Sequence, residues 1–132
     1  MKISRHYQIN GTEYMVLDGS AGQVPGQQGI ALLAHRRSGV GADRVMVVAG
    51  CAPSFRVYDA DGGLAVPTRE DYTILVSYLR ERGISWNSAT IARKLGSNAF
   101  LAASHTAIFE AHITESFWNK ALQQDMGKLA IA

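Results

Sequence analysis

Apolar and polar positions along this chain alternate mostly in short runs, and two stretches carry helical spacing instead. Residues 2–9 put Ile3, Tyr7 and Ile9 on one side and predict a strand. Asn10-Gly11 is a tight-turn pair followed by Tyr14-Met15-Val16-Leu17, so a hairpin is expected. A loop rich in Gly, Pro and Gln (residues 19–28) leads to a short helix in which Ile30, Leu33 and Ala34 share a face, with Arg36 and Arg37 near its C-terminal end. Gly39-Val40-Gly41 breaks that helix. Val45-Met46-Val47-Val48 reads as a buried strand, and Phe55-Arg56-Val57-Tyr58 as another, before a turn at Asp61-Gly62-Gly63.

The best-defined helix spans residues 69–82. Thr68 and Asp71 form a capping box, Pro67 precedes it, and Glu70 and Asp71 place acids in the first turn. Tyr72, Leu75, Val76 and Leu79 make the core stripe. Arg80 and Arg82 complement the negative helix end, and Gly83 suits the residue just past it. Further on, Phe100-Leu101-Ala102-Ala103 reads as a strand. Residues 105–114 alternate, with Ala107, Phe109, Ala111 and Ile113 opposite Thr106, Glu110, His112 and Thr114. Residues 117–124 fit either class, and Lys128-Leu129-Ala130-Ile131 after Gly127 predicts a last strand. Strands gathered around two helices indicate an α+β fold, not a doubly wound parallel sheet.

Composition narrows the function classes. A chain of 132 residues with 47% apolar and 18% charged residues suits one globular domain. A net charge of +2 and scattered basic residues give no nucleic-acid footprint. No apolar run has the length of a membrane span, and Met1-Lys2-Ile3-Ser4-Arg5-His6 lacks a signal-peptide core, so a cytoplasmic protein with no membrane partner is expected. The single cysteine, Cys51, cannot form an internal disulfide and follows an apolar run, as an inert thiol would. The four histidines (His6, His35, His105, His112) show no metal-ligand spacing, so neither metal nor cofactor is expected.

Two segments carry a resemblance. Gly39-Val40-Gly41-Ala42-Asp43-Arg44 and Tyr58-Asp59-Ala60-Asp61-Gly62-Gly63, the latter running on through Val66-Pro67-Thr68-Arg69-Glu70-Asp71, are similar to signature segments of the diaminopimelate epimerase family. The resemblance covers about residues 1–84, with Gly127-Lys128-Leu129-Ala130-Ile131 similar to that family's closing strand. It implies a single epimerase-like lobe, a mostly antiparallel sheet wrapped around a central helix (residues 69–82) with a second short helix. Family members have two such lobes and a cleft between them, and invert an amino-acid α-carbon with two cysteines and no cofactor. This chain has the length of one lobe. Thr68 stands where the first catalytic cysteine belongs, Arg69 and Glu70 where a glycine and an asparagine follow it, Asp59 and Thr12 where substrate-binding asparagines belong. A threonine hydroxyl stays protonated near neutral pH, so two-cysteine racemase chemistry is not expected. The resemblance also implies a helix start that holds a substrate carboxylate on backbone amides. Here Glu70 and Asp71 bring two acids into that turn, and Thr68 reads as its cap.

Other candidate chemistry is thin. Glu110 and His112 share a strand face and could pair as acid and base. Ser104-His105 is only sequence-adjacent. Trp86 and Trp118 read as core anchors.

Two function classes follow. The first is a cofactor-independent isomerase or cyclase acting on a largely apolar small molecule, with Tyr14, Asp59, Thr68, Arg69 and Glu70 as catalytic candidates and Thr12, Arg44 and Val66 lining the site. The second is a non-catalytic partner or ligand-binding subunit of a split epimerase-like complex. A lobe without its sister exposes a face, so a homodimer or a heteromeric partner is expected in either case. The first class is favoured by the polar and charged residues at the altered positions (Asp59, Arg69, Glu70). A self-sufficient homodimer would favour the enzyme, and a chain soluble only with a companion would favour the subunit.

Overall fold

The Asn10-Gly11 turn closes the first hairpin with both residues at positive φ (50° and 81°), the geometry that lets two right-twisted strands meet through a two-residue loop. A computed structural model describes residues 2–19, 24–49, 54–83 and 107–131. Cys51, Trp86, Ser104-His105 and the strand expected at 100–103 lie outside them. The hairpin consists of β1 (Lys2–Ile9) and β2 (Thr12–Asp18). Helix α1 (Gln27–Ala34) carries the chain to β3 (Arg44–Ala49), which lies parallel to β2. The strands β4 (Ser54–Asp59) and β5 (Leu64–Ala65) follow antiparallel, then helix α2 (Arg69–Glu81), strand β6 (Ala107–Ile113) and helix α3 (Glu115–Ile131). The six described strands form one sheet in the order β5-β4-β3-β2-β1-β6, in which only the β2–β3 pair is parallel. The fold is therefore α+β, a mixed and mostly antiparallel sheet with three helices among the described residues.

Strand alternation sends side chains to two separate cores. On one face Tyr7, Tyr14, Val16, Met46, Val48 and Val57 pack against Ile74, Leu75, Val76, Tyr78 and Leu79 of α2. On the other, Met15, Leu17, Val45, Val47 and Ile113 meet Ile30 and Leu33 of α1 and Trp118 and Ala121 of α3. The apolar run Val45–Val48 is buried on both faces because β3 lies inside the sheet between two helix layers.

Helix α2 is buried over more of its circumference than the four-residue stripe implies. Ile74 and Tyr78 are buried as well, and so are Thr73 and Ser77. The two hydroxyls are accommodated by bonding one turn back, to the carbonyls of Arg69 and Thr73 at 3.2 Å each.

Two expectations are corrected. Residues 128–131 continue α3 and form no strand, so the described helices number three instead of two. The tetrapeptide Lys-Leu-Ala-Ile is too short for its period to discriminate, and Gly127 is carried within a 17-residue helix despite its propensity cost.

Packing fixes α1 closely on α3. A Cβ on Gly29 would lie 2.2 Å from the Ala121 carbonyl oxygen, so the two backbones approach as only glycine permits. Gly26 supplies no side-chain cap to α1; Asp125 reaches across from α3 and accepts from the backbone N–H groups of Gln28 (2.9 Å) and Gly29 (3.1 Å).

Candidate functional site

The start of α2 is built around Asp71, which is fully buried. The capping box forms as expected: the Asp71 N–H donates to Thr68 Oγ1 at 3.2 Å, and the Thr68 N–H donates to Asp71 Oδ2 at 2.7 Å. Two further groups converge on the same carboxylate. Arg44, at the first position of β3, donates through Nε to Oδ1 at 2.9 Å and through Nη2 to Oδ2 at 2.6 Å, a bidentate fork. Tyr14, directly opposite Arg44 in the β2–β3 pairing, donates its hydroxyl to Asp71 Oδ1. One carboxylate thus accepts four donors, from a strand residue on each side of the parallel pair and from the helix start itself. Burial pushes the Tyr14 phenol well above its ordinary value, with the Asp71 hydrogen bond adding to the rise, so the hydroxyl stays protonated through the neutral range.

The remaining expected site residues are placed unevenly. Asp59 joins the outer side of the cluster, 3.3 Å from Arg44 Nη1, with its side chain over half exposed. Thr68 is the N-cap, Arg69 is exposed, and Val66 is 85% exposed on the approach to the helix. Glu70 turns one carboxylate oxygen, Oε2, into a buried position with no hydrogen-bond partner among the described residues. Thr12 opens β2 opposite Ile9. The structure therefore gathers Tyr14, Arg44, Asp59 and Thr68 around one residue that sequence reasoning placed only in the cap. The signal for Asp71 was present in its spacing from Thr68, but a capping box does not show that a tyrosine and an arginine from distant strands will share the same carboxylate.

Elsewhere, Glu110 is taken by Arg5 (3.0 Å), which also holds Glu81 of α2 at 3.1 Å, so the acid of the candidate Glu110–His112 pair is committed to a cation. Arg36 bridges Glu13 (3.0 Å) and Asp43 (2.8 Å) at the turn between α1 and β3. A hollow of about 570 Å³ beside it is bordered by His35, Arg37, Asp43 and Ala60. A smaller one, of about 230 Å³, lies between the loop after α1 and the β6–α3 junction. Among the described residues no group of histidines, cysteines and acids is placed to hold a metal ion, and no helix is long and apolar enough to cross a membrane.

Comparison with family models and with curated proteins finds no match to this chain.

Proposed function

We propose that this chain is a single diaminopimelate epimerase-like lobe that serves as a non-catalytic partner or ligand-binding subunit of an epimerase-like assembly. The observation that carries this reading is the occupied start of α2. In an epimerase-like lobe that helix start would be offered to a substrate carboxylate, whereas here Asp71 supplies a carboxylate from within the chain and saturates it with Arg44, Tyr14 and the Thr68 N–H. With Thr68 serving as a cap and Tyr14 as a committed donor, the cluster offers no thiolate for abstracting an α-proton. The order of elements also supports the lobe reading: hairpin, short helix, glycine-rich entry into a strand, Asp-Gly turn, then a capped and largely buried helix.

A second reading, the isomerase or cyclase acting on a largely apolar small molecule, is favoured by a different observation. Leu64 in β5 and Val66 on the approach to α2 are 70% and 85% exposed, and Glu70 Oε2 has no hydrogen-bond partner among the described residues. Rearrangements of an apolar substrate need shape and a few hydrogen bonds, not a strong base.

Light-scattering measurement of the purified chain, alone and with a companion, separates the two readings, and incubation in D₂O with a panel of amino and hydroxy acids tests the absence of α-proton chemistry. The partner reading expects no exchange of any α-hydrogen and a chain that depends on a companion for solubility. Deuterium incorporation that is lost on replacing Tyr14, Asp59 or Thr68 by alanine would overturn it, and a self-sufficient homodimer would move the balance to the enzyme.

A further inference from the structure

We propose that the outer edge of β5 takes an extended segment of a companion protein as a further strand, one with two apolar residues two positions apart and an acid on the same side. The occupant rests on the companion reading above; the edge itself rests on the sheet. β5 ends the sheet and pairs with β4 alone among the described residues. Asp59 donates its N–H to the Gly63 carbonyl at 2.8 Å, so Gly63 and Ala65 turn their backbone groups toward β4. Alternation turns those of Leu64 and Val66 outward, where an added strand would meet them. Pro67 lacks the N–H that would continue the ladder to β4, which keeps β5 short. An edge strand is normally blunted by charge or cover. This one presents Leu64 and Val66, the two most exposed large apolar side chains among the described residues, at 70% and 85%. Both lie on the face of Tyr58, which stands directly opposite Leu64.

Charge selects the occupant. Arg56, two residues before Tyr58 and therefore on the same face, is exposed and has no ion pair among the described residues. The chain's own remaining segments do not answer it: residues 20–23, 50–53 and 84–106 contain no Asp or Glu, and the last of these adds Arg93 and Lys94. A second copy would pair β5 with β5 antiparallel, Leu64 opposite Val66 of the other copy, since only that register joins all the outward groups. The alternate positions it brings to this face are Gly62, Leu64, Val66 and Thr68, again without an acid. Both copies would leave Arg56 unanswered. A companion strand with a glutamate two residues from its apolar pair answers it. That strand lies two strand spacings, roughly 10 Å, from β4. Arginine and glutamate span the gap together, with the arginine stem lying along Val66.

Titration of the ¹⁵N-labelled full chain with the peptide Ac-Thr-Glu-Thr-Val-Thr-Val-Thr-NH₂, up to millimolar concentration, tests the edge. Saturable amide shifts centred on Leu64 and Val66 are expected, and the same peptide with lysine in place of glutamate should bind about threefold more weakly. Val66→Ser should weaken binding about tenfold. Arg56→Glu should reverse the preference between the two peptides, which a merely structural role for Arg56 would not do. No saturable shift at these amides, equal binding of the two peptides, or a preference unmoved by Arg56→Glu would each overturn the proposal. So would Leu64 and Val66 amides that are protected from exchange, or that shift on dilution, in the chain without peptide; its own segment or a second copy then holds the edge. The outcome is separable from that of the light-scattering measurement. A chain that needs no companion yet binds the peptide overturns the companion reading and keeps the edge. A chain that needs a companion but ignores the peptide overturns the edge alone.

Discussion

The Tyr14 hydroxyl donates to the carboxylate of Asp71, a residue 57 positions further along the chain, and so ties the second strand to the start of the largely buried helix α2. Because the carboxylate also holds Arg44 and the Thr68 N–H, removing the phenol leaves a buried charge one donor short. Tyr14→Phe is expected to cost about 1–3 kcal/mol in urea unfolding. Asp71→Asn is expected to cost more, about 3–5 kcal/mol, since it strands the Arg44 guanidinium against the helix start. The double variant should be less destabilised than the sum of the two. Strict additivity would show that the pair is not coupled.

Tyr7, paired with Tyr14 across the hairpin, is expected to behave in the opposite way. Its side chain is fully buried and its hydroxyl has no hydrogen-bond partner among the described residues. Tyr7→Phe removes an unsatisfied polar atom while keeping the ring, so stability should hold or rise by about 1 kcal/mol. A loss as large as that of Tyr14→Phe would show that the hydroxyl is bonded in solution.

His6 is buried beside Ser4, with Ser4 Oγ 2.8 Å from its Nε2, and burial lowers its pKa from 6.5 despite the opposing pull of Glu13. The unfolded chain therefore binds the proton more readily. The contribution of His6 to stability is complete above pH 6.5 and is lost progressively as pH falls from there through the lowered folded value. Urea midpoints of the parent chain should fall over this range, and His6→Gln should flatten the dependence. An unchanged slope in the variant would assign the pH response to other groups.

The seam between α1 and α3 offers a steric test. Gly29→Ala places a methyl group 2.2 Å from the Ala121 carbonyl oxygen and forces the helices apart, an expected cost of about 1–3 kcal/mol. Asp125→Ala leaves the Gln28 and Gly29 N–H groups without their cap, at about 1 kcal/mol. Thermal melts of both variants, alone and combined, measure whether the seam acts as one unit.

Sequence pattern reached the local parts of this structure. The Asn10-Gly11 hairpin, the buried β3 run, the Thr68/Asp71 capping box and the Gly83 helix end at positive φ (65°) all depend on residues within a few positions of one another. Its reach failed where a distant partner decides. Lys128–Ile131 joins a helix whose earlier turns pack on α1, and Asp125 acquires its role only when α1 lies beside it. The site divides in the same way. Thr68 was legible as a cap from its own neighbourhood, whereas Asp71 became the centre of the cluster only through Tyr14 and Arg44, which the parallel pairing of β2 and β3 sets side by side.

The cap on α1 bears on how the chain is made. The amide of Gln28 waits for a carboxylate 97 residues further along, so the helix leaves the ribosome with its positive end bare. Until Asp125 emerges, the Gln28 and Gly29 N–H groups lack the carboxylate that caps them in the finished fold. Closure of the α1–α3 seam is then a late step, and the early sheet must stand without one of its covering layers while synthesis catches up.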